Sequence, residues 1–312
     1  MYKLVRIGTR ESQLAVWQAT QVKDLLAKEN IASTLVYIKS EGDVDLKTPL
    51  YEMGVQGIFT KSLDVALLNN KIDIAVHSMK DVPTQLANGI SQAAVLKRGN
   101  PKDLLLYNGS MEIDKKGFPV FSSAEISIAT SSIRRKAQWL HFYPNHRIEN
   151  LRGNVNTRLQ KLTENNWKGA IFAAAGLERI NLRPSQSVEL DWMLPAPAQG
   201  AIVIVCRADD QDSFDICAGL NDDQTALCAK VERDFLRTLL GGCSTPIAAL
   251  ARIEENKIHF KGNILTPDGN KKSEIEKKLP LKDAANLGKN AAEELLREGG
   301  EEIVRTIQNE EK

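Results

Sequence analysis

Three features of this 312-residue sequence predict two α/β units of similar layout followed by a smaller α+β unit. Short apolar runs alternate with helical periodicity up to about residue 80 and again from residue 125 to 176, the pattern of strands joined by crossover helices. Charged or Pro-rich breaks at KRGNPKD (97–103) and LPAPAQG (194–200) divide these stretches. Beyond residue 247 the pattern changes to β-rich runs closed by a helix.

In chain order, KLVRIGT reads as a strand, and Leu14, Trp17, Val22, Leu25 and Leu26 mark one face of a helix that begins near Thr9 to Ser12. TLVYIKS is a second strand, a helix spans about Thr60 to Leu68, and DIAV returns as a third strand. Two βαβ crossovers predict a largely parallel sheet. The middle unit repeats the layout: strand EISIAT, helix SIRRKAQWLHF, strand RIENL, helix NTRLQKLTE and strand AIFAAAG. AIVIVC, too short to stand alone, is expected to return to one of the two sheets. From Asp222 a helix carries Leu227, Val231, Phe235 and Leu239 on one face and ends at Gly241 and Gly242. AALARIEE, KIHFKGNILT, a DG turn and a helix from about Asp283 to Arg297 complete the third unit.

The 42% hydrophobic content supplies a core for each unit, and 41 basic against 40 acidic residues leave a net charge of +1. A near-neutral chain with 5% aromatic residues is not expected to bind nucleic acid. No apolar run approaches the roughly 20 residues that span a bilayer, and MYKLVRIG lacks the apolar core of a secretion signal. A cytoplasmic protein without a membrane partner is therefore expected. Cys206, Cys217, Cys228 and Cys243 show no C-x-x-C pairing, so neither a metal site nor a disulfide framework is indicated, and most are expected in the core.

Chemistry concentrates where DIAVHSMKDVPT leaves its strand. Ile72, Ile74, Ala75 and Val76 suit a strand buried on both faces, and Pro83 discourages its continuation. His77, Ser78, Lys80 and Asp81 then fall at the C-terminal edge of the sheet, where open α/β sheets bind ligands. A carboxylate there can serve as an acid or base, whereas an isolated KD pair would more simply cap a helix. Arg134, Arg135, Arg147, Arg152, Arg158, Arg179 and Arg183 crowd the middle unit and suggest an acidic ligand. TSSIRR adds hydroxyls and free amides at a helix start. Arg147 and Arg183 are better read as solvated partners of Glu149, Glu164 and Glu178. In GGCSTP, Cys243 sits on a glycine loop after a helix C-terminus, a setting that disfavours a thiolate and suits a stable thioether.

TRESQLA, HSMKDVPT, TSSIRR, LRGNVNTRL, AAAGLERI, PAPAQGA and GGCSTPIA occur in the order and spacing of the porphobilinogen deaminase (hydroxymethylbilane synthase) family, which this chain resembles over essentially its whole length. The resemblance implies two domains similar to periplasmic binding proteins around a shared cleft and a small α+β third domain. With the breaks as crossovers, residues 1–98 and 199–219 form the first, 99–198 the second and 220–312 the third. It implies a monomeric transferase of tetrapyrrole and haem biosynthesis. Such an enzyme joins four porphobilinogen molecules into linear hydroxymethylbilane, with release of ammonia, on a dipyrromethane primer thioether-linked to Cys243.

Residue by residue, it implies Asp81 as the catalytic group. Cys243, Lys80, Ser78, Thr130, Ser132, Arg134, Arg135, Arg158 and Asp43 would hold the cofactor, and Arg10, Ser12, Arg152, Arg179 and Phe59 the substrate. The chain departs from the family pattern at Gln56, where lysine is usual and Lys61 is the candidate replacement. It departs again at Gln13, Ala129 and Ala198, where proline or glycine is more usual. Two other classes stay open on the residues alone: a module that holds an anionic solute without chemistry, and a cysteine hydrolase in which His77 activates Cys243.

Overall fold

The computed structural model describes residues 4–39, 60–122, 125–239 and 245–310. The first unit runs β1 (Val5–Thr9), α1 (Gln13–Lys28), β2 (Ser33–Tyr37), α2 (Lys61–Leu68), β3 (Ile74–Ser78) and β4 (Ile90–Val95). The chain then crosses into β5 (Asp103–Tyr107), a small hairpin β6 (Glu112–Ile113) and β7 (Pro119–Val120), then β8 (Ser127–Ala129) and α3 (Ile133–Phe142). There follow β9 (Arg147–Glu149), α4 (Val155–Glu164), β10 (Gly169–Ala173), α5 (Ala174–Glu178) and β11 (Ser187–Glu189). It crosses back into β12 (Ile202–Arg207) and continues through α6 (Gln211–Ala218) and α7 (Asp223–Leu239). The last unit comprises β13 (Ile247–Glu254), β14 (Lys257–Leu265), β15 (Lys272–Pro280), α8 (Leu287–Leu295) and α9 (Glu301–Glu310).

The first sheet has the order β2-β1-β3-β12-β4 and the second β11-β5-β10-β8-β9. Reversing the second reveals one plan: in each sheet the strand entered directly from a crossover, β12 or β5, lies fourth and runs antiparallel to both its neighbours. The expected largely parallel sheet is therefore corrected to a mixed one, because the first strand after each crossover, β5 or β12, enters its sheet antiparallel to its neighbours. AIVIVC does return to a sheet, as β12 between β3 and β4. The expected strand AIFAAAG is shorter than read: β10 ends at Ala173 and AAG opens α5, small residues that suit a helix packed close to the sheet. The closing helix is also revised. Leu281–Asn286 is a 3-10 turn, α8 covers Leu287–Leu295, and α9 follows after a break at Glu298 and Gly299.

Ile74 and Val76 pack with Val22 and Leu26 of α1, whereas Ala75 and Met79 pack with Leu63 and Leu67 of α2. This two-sided burial explains the uninterrupted apolar run of β3. The third unit lays α7 and α8 over the sheet β13-β14-β15 around Phe235 and Phe260. Cys206, Cys217 and Cys228 are buried free thiols, and burial pushes them up to about 11, 12 and 12.

The crossovers run side by side, with Gly99 N–H donating to Gly200 O at 3.0 Å. Gly200 has φ +88°, and a Cβ there would meet Gly99 O at 2.8 Å, so the contact requires glycine. Ala198 has φ +61°, a left-handed conformation that glycine would adopt with less strain.

Candidate active site

Each site residue within the described parts lies at or just beyond the C-terminal end of a parallel strand. Arg10 and Ser12 follow β1, Ser78 ends β3, and Lys80 and Asp81 follow it. Thr130, Ser132, Arg134 and Arg135 follow β8, Arg152 and Arg158 follow β9, and Arg179 follows β10 through α5. The two sheets thus face one cleft with the edges that bear free helix starts. Ser12 caps α1 by accepting from Ala15 N–H, Ser132 caps α3 by accepting from Arg135 N–H, and Asn154 caps α4. Gln13 begins α1, a first-turn position that also accommodates proline, and its Oε1 accepts from Asn156 Nδ2 at 2.9 Å across the cleft. Ala129 is fully buried in β8.

Lys80 and Asp81 lie on a single 3-10 turn, Met79–Asp81. Arg233 of α7 holds this turn by donating to the carbonyls of Met79 (3.2 Å), Val82 (2.8 Å) and Pro83 (2.5 Å). Its neighbour Glu232 is fully buried, pairs with Arg98 at 2.5 Å and accepts from the backbone N–H groups of Ala198 and Ala251. One turn of α7 therefore fixes both the carboxylate-bearing loop and a crossover.

On the opposite wall Arg134 and Arg135 are 4% and 5% exposed and share Asp103. Arg134 donates to Oδ2 at 2.7 Å, Arg135 to Oδ1 at 2.8 Å and 3.1 Å, and Gln199 Nε2 to Oδ1 at 2.9 Å. Burial alone would raise the Asp103 carboxyl, but the two guanidinium groups hold it well below the usual carboxylate range. Burial pushes Lys80 down to about 8, with Asp81 and Asp103 opposing and Arg134 and Arg135 adding to the shift. Arg158 is pushed down to about 10 by burial, next to Arg135 and Arg152 and against the pull of Asp81. Among the described residues, Lys80, Arg134, Arg135, Arg152 and Arg158 thus lie near one another and near Asp81 and Asp103, a concentration of cations that suits an acidic ligand.

Other expected residues are placed as follows. Ser78 Oγ accepts from Gln18 Nε2 at 2.8 Å, and Thr130 Oγ1 accepts from Ser132 N–H at 3.2 Å. Arg179 spans the lobes, with its guanidinium over Trp17 at 5.7 Å and a bond to Gly200 O, and burial pushes it down to about 10. His77 is 6% exposed, and burial with the nearby Arg10 pushes it down to about 4, so it stays neutral. Arg183 pairs with Glu178 and Glu189 at the surface, and Arg147 is exposed, as expected for both. Lys61 is exposed at the first residue of α2. Asp43, Gln56, Phe59 and Cys243 lie outside the described residues.

Sequence reasoning missed Asp103, Gln199, Glu232, Arg233 and Lys136, the last lining a recess with Thr130, Ser132 and Asn150. Two signals were present. Glu232 stands on the apolar arc of α7 between Cys228 and Phe235, and a charge there demands a partner. Two adjacent arginines at a buried helix start likewise demand a carboxylate, which opens the apolar run DLLLY.

Two α/β lobes that present helix starts and a cationic surplus to one carboxylate define a cleft enzyme for acidic small molecules. The family model described as "Porphobilinogen deaminase, dipyromethane cofactor binding domain" matches residues 5–215, and "Porphobilinogen deaminase, C-terminal domain" matches residues 226–297. Porphobilinogen deaminase of Legionella pneumophila (strain Lens) is 39% identical over 310 residues, covering 98% of both chains. That of Desulforamulus reducens is 37% identical over 309 residues, covering 97% of both. The chain belongs to the porphobilinogen deaminase family. It is accordingly a tetrapyrrole-building transferase with a dipyrromethane-binding domain, and the binding-only reading is not favoured. Among solved structures, the methionine-binding protein MetQ shares 12% identity with a TM-score of 0.42, over 69% of this chain and 89% of that one. A likeness that distant has no bearing on activity. Among the described residues no helix is long and apolar enough to cross a membrane.

Proposed function

We propose that this chain joins four porphobilinogen molecules head to tail, releasing ammonia at each coupling, with Asp81 as its catalytic residue and Cys243 as the cofactor attachment point. The carrying observation is the placement of Asp81 beside Lys80 and Arg158, which themselves stand near Arg134, Arg135 and Arg152: a ligand with many carboxylates and one site of developing positive charge needs both features. The donor set fits a dipyrromethane, whose acetate and propionate groups need charged donors. Among the described residues Arg134 Nε is buried without a partner, and the guanidinium of Arg158 donates to Gly153 O through Nε. When bound, the dipyrromethane supplies the pyrrole carbon onto which the chain grows.

Asp81 accepts from the substrate pyrrole N–H and offsets the cation that forms as porphobilinogen loses ammonia. It then takes up the proton released when the carbon–carbon bond forms. Lys80, Arg134, Arg135 and Arg158, with the hydroxyls of Ser78, Thr130 and Ser132, hold the cofactor carboxylates, and Asp43, an acceptor only, would bind the cofactor elsewhere than at its carboxylates. Arg10, Ser12, Arg152, Arg179 and Phe59 receive the incoming ring. The proposed domains are 1–98 with 199–219, 99–198, and 220–312, the crossovers lying at the paired Gly99 and Gly200. A monomer in the cytoplasm is supported by both cleft walls coming from one chain and by three unbridged thiols.

Intact-protein mass tests this reading. The purified chain should exceed its sequence mass by two porphobilinogens less two ammonias, the excess should survive denaturation, and peptide mapping should place it on Cys243. Brief exposure to porphobilinogen should add single-ring increments, and Cys243→Ser should carry neither. Turnover of porphobilinogen by an unmodified protein would overturn the covalent role of Cys243.

A further inference from the structure

Gln199 belongs to PAPAQGA, the segment that forms the second crossover. Its side chain is 1% exposed and lies between the two walls of the cleft. Oε1 accepts from Lys80 Nζ at 3.3 Å. Nε2 donates to Asp103 Oδ1 at 2.9 Å and to Pro101 O at 2.7 Å, with a longer contact to Lys102 O at 3.4 Å. The backbone carbonyl accepts from Arg98 Nε at 2.8 Å, and Arg98 is itself fixed by Glu232. The orientation of the amide is dictated chemically. Reversing it would press an NH₂ group against an ammonium and a carbonyl against a carboxylate.

We infer that Gln199 is a positioning residue that ties the lysine of one lobe to the arginine pair of the other, so that both walls meet a ligand carboxylate in one register. The connection runs Lys80 to Gln199 to Asp103 to Arg134 and Arg135, its first member beside Asp81 and its last at the start of α3. A neutral amide suits the task. A carboxylate at this place would also hold Lys80 but would neutralise a cation that the ligand needs and would repel Asp103, whereas an apolar side chain would let the walls move independently. The inference deepens the proposed function and rests on it, because the register matters only if the cleft holds a polyanionic ligand.

The test compares full-length, cofactor-loaded wild type with Gln199→Met and Gln199→Glu, reading two quantities. The first is the titration midpoint of Lys80, followed by NMR of ¹³C-labelled lysine and assigned with Lys80→Arg. Among the described residues, the charged groups near this ammonium are Asp81, Asp103, Arg134 and Arg135. Gln199→Met removes an acceptor and should lower the midpoint below that of wild type. Gln199→Glu adds a charge and should raise it by about one pH unit. A residue that serves only packing would not move it in opposite directions. The second quantity is kcat for porphobilinogen, which should fall at least about tenfold in both variants, the equivalent of one lost hydrogen bond to a charged group. Midpoints equal to wild type in folded variants, or shifted midpoints with unchanged kcat, would overturn the inference. If Gln199→Met does not fold, Gln199→Glu decides alone, since it keeps the length and the acceptor. A wild type that consumes no porphobilinogen is a different result and defeats the functional reading itself.

Discussion

Replacing Asp103 with asparagine keeps the shape of the side chain and removes the one carboxylate that Arg134 and Arg135 share. All three residues are buried, so neither guanidinium can recover a hydration shell. If only hydrogen-bond geometry were lost, the cost would be about 1–3 kcal/mol. Leaving two cations paired to no charge should instead cost about 5 kcal/mol, the upper end of the range for breaking a buried pair, because one carboxylate serves both. That corresponds to a fall on the order of 10 °C in the melting temperature of the whole 312-residue chain, at about 2.1 cal/mol/K per residue. Urea unfolding at neutral pH measures the difference directly. A pH series adds a sign check. The Asp103 carboxyl is depressed in the folded state, so its contribution is present above the unfolded value of roughly 3.9 and is lost as pH falls towards the folded value. The gap between wild type and variant should therefore stay constant through the neutral range and close in acid. A neutral-pH difference below about 1 kcal/mol would refute the view that Asp103 neutralises the pair.

Asp81→Asn should fold normally and lose roughly 10²- to 10⁴-fold in kcat, measured by porphobilinogen consumption, since a positioned proton-transfer group is removed. Lys80, held near 8 by burial, should lose its ammonium above that pH. Because Lys80 is assigned to the cofactor carboxylates, kcat for porphobilinogen should then fall, and Lys80→Arg, charged throughout, should show no such limb. The same depression means that Lys80 costs stability fully below about 8 and not at all above the unfolded lysine value of roughly 10.4. Arg233→Met keeps an aliphatic stem but frees the carbonyls of Met79, Val82 and Pro83, so kcat should fall on the order of tenfold or more with KM little changed.

Much of the fold was legible because burial imposes a period. The alternations that define α1, α3, α4 and β3 arise from one-sided or two-sided packing, and the sequence carries them openly. Elements with little buried surface were not legible. Edge strand β15, KSEIEKKLP, buries only Ile275 and exposes lysine and glutamate, as edges that resist pairing do. The short α6 carries no helical stripe long enough to be read in isolation.

The candidate site divides the same way. Asp81 at a strand end and the arginines at a helix start follow from local sequence, because strand ends and helix starts are where backbone donors go unused. Which partners those side chains meet was decided only in three dimensions. Asp103 lies 31 residues from Arg134 and 96 from Gln199, and Arg233 reaches back 154 residues to Met79. No local period encodes such pairs. They exist because two crossovers bring β5 and β12 into opposite sheets and set α7 across the junction. By itself, then, the sequence specified the strands, the helix starts and the chemical groups at their ends. The tertiary structure alone decided which charges neutralise one another and which remain for a ligand, because desolvation and Coulomb energy depend on separation in space rather than along the chain.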